Sequence, residues 1–424
     1  MIDQELESAI AGFVARRPKT AALHARAKAV MPGGNTRTVL FAPPFPVRIE
    51  RAEGQHLYDV DGHRYVDFLG EYSAGIYGHS DVRIQAAVAK AVADGINFGG
   101  HHVREVEFAE AVTARFDLQR VRFTNSGTEA NMMALAAARC FTKRTKIMVM
   151  QGGYHGGTLY FAKGASPVNA PFECVLAPFN AVEAARQLVS DDLAAILVEP
   201  MQGSGGCIPA SKEFLQMLHE EATRHGIVLI FDEVMTSRFG AGGLAQLYNI
   251  QPDLKTLGKY IGGGMSFGAF GGVAEIMDQF DPSKPNALPH AGTFNNNTLT
   301  MAAGLVGLRD IYTPAIANDL NARGAALKAE LNGLFMRYQA SWQVTGIGSL
   351  LNFHPVAGDV QRTGDLEKAD QRLRRLLYFF LLEQGIYVAE RGFMALSLAL
   401  SERDCSALVD AVERFILKYR TVLQ

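Results

Sequence analysis

Four cysteines in 424 residues, Cys140, Cys174, Cys207 and Cys405, stand far apart and form no CxxC pair. That spacing argues against a disulfide framework and against a zinc site, and it fits reduced thiols. No basic block interrupts the chain, whose formal net charge is -2. Nucleic acid and anionic membrane surfaces are therefore not expected partners. No apolar run approaches the length needed to span a bilayer. The opening MIDQELESAIAGFVARRPKT is acidic first and basic last, the reverse of a secretion signal. A soluble, cytoplasmic protein is expected. Ile2, Leu6, Ile10, Phe13 and Val14 share one helical face, which predicts an amphipathic helix that stops before Pro18.

Hydrophobic residues make up 48% of the chain and charged residues 20%, enough for two domains and a large core. Short apolar runs alternate with helical stretches through the middle: Val121–Thr124, Lys146–Met150, Leu193–Val198 and Ile227–Phe231. Continuous apolar strands between helices predict a mostly parallel sheet covered on both faces. Many of the 42 glycines follow those strands, where such sheets bind ligands. Beyond Thr300 come amphipathic helices (Ala325–Tyr338, Lys368–Glu383) and short strand-like pieces (Trp342–Ile347, Met394–Leu400), which predict a smaller α/β domain.

Four loops combine into one chemical proposal. Thr124-Asn-Ser-Gly-Thr-Glu-Ala-Asn131 lies between a strand and a helix, where exposed N–H groups and the helix dipole favour an anion. Taken alone, Ser-Gly-Thr-Glu is as readily a helix cap. Gly152-Gly-Tyr154-His155-Gly-Gly157 sets an aromatic ring among glycines, so that it can lie against a planar ligand. A bland turn is the alternative. A metal at His155, or at His101-His102, lacks further ligands at a suitable spacing. Asp232 ends a buried strand, and a carboxylate there is costly unless something positive meets it. In Leu257-Gly-Lys259-Tyr-Ile-Gly-Gly-Gly264, a lysine among glycines can be desolvated into a nucleophile. Lys255, in a more polar stretch, reads as a solvated lysine, and Glu233 as structural. Phosphate cradle, ring stacker, partner for a protonated heterocycle and Schiff-base lysine point together to pyridoxal 5'-phosphate.

These stretches, with VEPMQGSGGCIP, FDEVMTSR, TLGKYIGGGMSFGAFGG and HAGTFNNN, resemble the class III aminotransferases of fold type I along nearly the whole chain. The chain is similar to glutamate-1-semialdehyde aminomutases and, more so, to β-amino acid (β-phenylalanine) aminotransferases. The resemblance implies a large domain with a mostly parallel seven-stranded sheet over residues 66–310. Residues 1–65 and 311–424 would form a smaller α/β domain. It implies that Lys259 carries the cofactor, that Asp232 pairs with the pyridine nitrogen, and that Val234 and Tyr154 sandwich the ring. Ser126, Gly127 and Thr128 would hold the phosphate, Glu199 would belong to the cofactor site, and Thr293 would reach the partner's phosphate in a homodimer with shared active sites.

Specificity must come from elsewhere. Arg37, in the loop Pro32–Phe41, suits bidentate recognition of a donor carboxylate, although an exposed loop arginine is the plain alternative. By resemblance Arg391 takes the carboxylate of a keto acid acceptor, unless its neighbour Glu390 merely neutralises it. A β-amino acid:α-keto acid transaminase (2-oxoglutarate or pyruvate as acceptor) is the leading expectation. A glutamate-1-semialdehyde aminomutase, an amine (omega) transaminase, a racemase and a non-catalytic binding protein are the alternatives, because the same loops serve them all.

Overall fold

The computed structural model describes residues 1–162 and 164–423. Its largest sheet has seven strands in the spatial order Arg120–Thr124, Gly268–Gly272, Leu254–Gly258, Val228–Asp232, Leu193–Val198, Lys146–Met150 and Cys174–Ala177. Gly268–Gly272 is antiparallel to both of its neighbours, and the other pairings are parallel. The mostly parallel seven-stranded sheet expected from the sequence is present.

The continuous apolar runs have a direct physical reason, since both faces are covered. Leu193–Val198 is buried throughout. Val149, Leu197 and Ile230 share a cluster with Ala130, Ala134 and Ala138 of the helix Gly127–Thr142. Their alternates Met148, Ile196, Leu229 and Phe231 cluster with Phe214, Leu215 and Leu218 of the helix Lys212–His225. Burying each large side chain contributes about 1.5–3 kcal/mol. The sheet interior thus carries much of the stability, and loops at its edge can hold conformations that cost energy. The antiparallel strand approaches so closely that a Cβ on Gly268 would lie 2.1 Å from the Ser126 carbonyl oxygen.

Two smaller sheets bring the ends of the chain together. Ile49–Glu53, His56–Asp59 and Arg64–Asp67 pair antiparallel, and Ile386–Tyr387 adds alongside Arg64–Asp67. Gln343–Ile347, Leu350–His354 and Phe393–Ala395 form the third sheet. The Ala395 amide donates to the Phe68 carbonyl at 2.8 Å, which seats residues 386–395 beside residues 64–73.

The N-terminal helix runs Ile2–Ala15, and Pro18 opens the next helix at its first position. Leu6 and Phe13 are buried, but Val14, expected on the same face, is 38% exposed. The long C-terminal helices are Pro314–Arg337, Gln371–Glu383 and Glu402–Lys418. The last strand is shorter than the run Met394–Leu400 suggested, ending at Ala395. All four cysteines are free. Among the described residues no helix is long and apolar enough to cross a membrane.

Candidate active site

The sheet register lines up Thr124, Asp232 and Gly258 near one edge, where the strands release the loops singled out from the sequence. Asp232 is 5% exposed, and its carboxylate is met by donors from three elements. Asn131 Nδ2 and His155 Nδ1 reach Oδ2, each at 2.8 Å, and the Val234 amide reaches Oδ1 at 3.0 Å. Asn131 is itself fixed, since its Oδ1 accepts from Thr256 Oγ1 at 2.7 Å. A buried carboxylate persists only with such compensation. His155 is part of this clasp. Among the described residues no group of three or more His, Cys, Asp or Glu side chains could hold a metal ion.

The helix Gly127–Thr142 begins beside Asp232. Ser126 caps it by accepting from the Glu129 amide at 3.2 Å, so the capping reading is realised. A Cβ on Gly127 would stand 2.9 Å from a Val234 methyl, so only glycine lets that loop close over Val234. The Gly157 amide donates to Thr128 Oγ1 at 3.2 Å, and a Cβ on Gly156 would collide with that same oxygen. The two glycine-bearing loops therefore interlock. Tyr154, within the second of these loops, is 42% exposed, and its amide donates to Glu199 Oε1 at 2.8 Å. Glu199 also accepts from the Gly203 amide at 2.9 Å. Burial pushes the Glu199 carboxyl up to about 7, against the pull of His155 and those two amides. In this chain Glu199 anchors the Tyr154 loop.

Lys259 follows the last parallel strand with φ +56, a left-handed conformation rare for a residue with a side chain. Its half-buried amine donates to the Tyr72 carbonyl at 2.9 Å. Burial and the nearby Arg37 and Arg391 lower its pKa to about 8, although Asp232 and Glu71 pull the other way. Such an amine loses its proton far more readily than an ordinary lysine. Lys255 is not the solvated lysine expected: it is 2% exposed, and its Nζ donates to the Phe116 carbonyl at 2.8 Å. The pleat explains this, since Lys255 belongs to the strand Leu254–Gly258, which is buried throughout. Glu233 is structural, accepting from the amides of Leu244 and Ala245 and from Thr236 Oγ1.

The Tyr72 carbonyl belongs to a turn the sequence did not announce. Gly70, Glu71, Tyr72 and Ser73 have φ of 53, 47, 51 and 79°, a left-handed run that includes three residues other than glycine. Both candidate specificity arginines converge on it. The guanidinium of Arg37 lies 5.6 Å from the Tyr72 ring centroid and that of Arg391 lies 5.1 Å from it. Arg37 is ion-paired with Glu71. Arg391 Nη1 donates to Ser204 Oγ at 2.9 Å, and its buried Nε has no partner among the described residues. Glu390 turns to Arg375 at 2.7 Å, so it does not neutralise Arg391.

Thr293 stays outside this gathering. It is exposed and lines a cavity with residues 96–102, to which Lys259 does not contribute. Asn131 and Tyr72 were not singled out from the sequence. A polar residue within the Ala/Met-rich helix was a signal for Asn131, whereas Tyr72 had none.

The residues brought together fit pyridoxal phosphate. A helix N-terminus next to Ser126 and Thr128 offers anion donors, a buried carboxylate offers a partner to a protonated ring nitrogen, and a depressed amine offers the nucleophile. The glycines at 127 and 156 keep the cradle open where a Cβ would fill it.

A family model for class III aminotransferases matches residues 41–416. A beta-phenylalanine transaminase of Variovorax paradoxus is 50% identical over 98% of this chain and 96% of its own. The crystal structure of a beta-phenylalanine aminotransferase from that organism superposes with a TM-score of 0.99 at 50% identity, covering 100% of this chain and 99% of that one. A glutamate-1-semialdehyde 2,1-aminomutase of Brevibacillus brevis is 36% identical over 93% of this chain and 97% of its own. A solved transaminase with PLP bound is 35% identical with a TM-score of 0.88, covering 95% and 97% of the two chains. The matched span, the fold and the site agree: the chain belongs to the class III aminotransferases.

Proposed function

We propose that this protein is a pyridoxal-phosphate-dependent aminotransferase that takes the amino group from a β-amino acid of the β-phenylalanine type. An α-keto acid such as 2-oxoglutarate or pyruvate receives it. The observation that carries this reading is the convergence of Arg37 and Arg391 on one tyrosine ring beside the Lys259 amine. A β-amino acid holds its carboxylate one carbon farther from the amine than an α-amino acid does. One arginine cannot serve both in reactive geometry, and two can.

Each side chain has a stated task. Ser126, Gly127 and Thr128 would hold the phosphate, Asp232 would hold a proton at the ring nitrogen, and Val234 and Tyr154 would flank the ring. Glu199 would support the cofactor site through the Tyr154 loop. Lys259 would attach the cofactor and then, as the displaced amine, carry the proton at the substrate carbon. When bound, the cofactor supplies an electron-accepting ring. Arg37 would bind the donor carboxylate and Arg391 the acceptor carboxylate.

Separate half-reactions test the division. Arg391→Ala removes a guanidinium with no acidic partner, so acceptor kcat/KM should fall by roughly two decades, on the order of 2–3 kcal/mol. Arg37→Ala should cost the β-amino acid about one decade, because a substrate carboxylate there replaces the Glu71 contact rather than adding to solvent. Stopped-flow rates for each half-reaction measure both. Equal damage to both halves by either variant would rule out the division. Turnover of an amino aldehyde without an external acceptor would favour the aminomutase reading.

We further propose a cytoplasmic homodimer with shared sites. Thr293 lines a groove that Lys259 does not, and there Ile96, Phe98 and Phe294 are 50%, 49% and 55% exposed. Clustered exposed apolar side chains mark association surfaces. Mixing Thr293→Ala with Lys259→Ala chains should restore part of the activity, because one site of the mixed dimer collects both lesions and the other is intact. Isolated heterodimers without activity would contradict a shared site.

A further inference from the structure

We propose that Glu71 is a specificity-determining residue: it is the resident carboxylate on Arg37, and a substrate carboxylate reaches that guanidinium only by displacing it. The inference rests on the reading of Arg37 as the donor-carboxylate ligand.

The ion pair between Arg37 and Glu71 joins two half-exposed side chains, 44% and 54%, close enough to Lys259 for both charges to act on it. Glu71 is not a mobile surface residue that happens to lie nearby. Its backbone is left-handed inside the run Gly70–Ser73, and the turn is pinned from several directions. Asp67 Oδ1 accepts from the amides of Leu69 and Gly70 at 2.8 and 3.0 Å. The other Asp67 oxygen meets His79 Nε2 at 2.9 Å. Gly70 packs so tightly that a Cβ would stand 2.6 Å from the Ala395 carbonyl oxygen. The Tyr72 hydroxyl donates to the Val39 carbonyl at 3.2 Å, and its ring stacks on Phe393 at 5.6 Å. A strained backbone so restrained fixes where the Glu71 side chain starts, within reach of the guanidinium, and leaves its own rotamers free.

Displacement has somewhere to go. Glu71 also lines a cavity of about 540 Å³ bordered by Gly75, His79, Ser80 and Gly264, and Arg37 is not among the residues that line it. A carboxylate swung into it stays hydrated, so the exchange trades one exposed ion pair for another. When the donor carries no carboxylate, Glu71 remains on Arg37 and the guanidinium is never left uncompensated beside an apolar group. Glu71 thereby sets the selectivity between acids and plain amines.

The test compares 3-amino-3-phenylpropanoate with its carboxylate-free counterpart, 1-phenylethylamine, on the loaded enzyme. In Glu71→Gln the kcat/KM ratio of acid to amine should rise about tenfold, with KM falling for the acid and rising for the amine. Calorimetric binding of 3-phenylpropanoate, which has no amine to react, should tighten by a similar factor. Glu71→Asn, a residue that tolerates left-handed backbone, should reproduce both changes. A merely structural Glu71 would move both donors alike, and that result, or no change at all, overturns the proposal. If Arg37→Ala leaves the acid's KM unchanged, the reading of Arg37 falls and the proposal with it. If Arg37→Ala raises that KM while Glu71→Gln shifts both donors equally, the reading of Arg37 stands and the proposal alone fails.

Discussion

Lys259→Ala is expected to abolish turnover and covalent attachment of the cofactor while leaving the fold intact. Among the described residues the side chain makes one hydrogen bond, to the Tyr72 carbonyl, and no ion pair. Alanine at φ +56 is no more strained than lysine, because both carry a Cβ. The loss removes a nucleophile and a proton carrier together. General acid–base help alone is worth about 10²–10⁴, so a fall of at least about four decades in kcat is expected. Steady-state rates, the absorbance of the lysine-linked cofactor and circular dichroism measure the three parts. Lys255→Met is the control. It removes the donor to the Phe116 carbonyl and should lower stability, yet keep the attachment. Loss of the attachment in the Lys255 variant, with retention in Lys259→Ala, would overturn the assignment.

Asp232→Asn should fold and bind the cofactor but lose on the order of a thousandfold in kcat. An anion within hydrogen-bond reach shifts its partner's proton affinity by about 1–3 pKa units, up to roughly 4 kcal/mol, and an amide oxygen lacks that charge. The fold survives for a local reason. The amide oxygen can keep the Asn131 contact at the Oδ2 position, while its NH₂ group faces the Val234 amide. That donor–donor conflict costs about 1–3 kcal/mol, a tolerable part of a domain's stability. His155 needs no change of tautomer, because its Nδ1–H can go on donating to the same amide oxygen. Thermal unfolding together with both half-reaction rates checks the balance. An unchanged rate would remove Asp232 from the chemistry.

The sheet and its loops were legible because burial on both faces writes itself as unbroken apolar runs, and Leu193–Val198 is the clearest. Asp232 was legible for the opposite reason, a charge where a charge should not be. The local chemistry of a residue is less visible when it depends on distant partners. Lys255 sits in a polar-looking stretch, yet the pleat buries it against Phe116, far away in sequence. The pairing of Glu390 with Arg375 rather than with Arg391 depends on a helix fifteen residues upstream. The left-handed turn at Glu71–Ser73 had no signature at all, since glycine, asparagine or aspartate usually marks such backbone. Tertiary restraint from Asp67, Phe393 and Ala395 imposes it.

The provenance of the side chains in the site has an evolutionary consequence. The clasp on Asp232 is drawn from Asn131, His155 and Thr256, all between residues 124 and 260, and each is locked to another. The arginines come from residues 37 and 391, near opposite ends of the chain, and meet only at the turn carrying Tyr72. Substitutions in the terminal segments can therefore re-aim the guanidiniums without touching the hydrogen bonds of the clasp. A descendant could exchange one acid substrate for another in small steps, each leaving a working catalyst. Changes in the central clasp have no such gradual route, because Asn131 alone ties Asp232, Thr256 and the His155 carbonyl together.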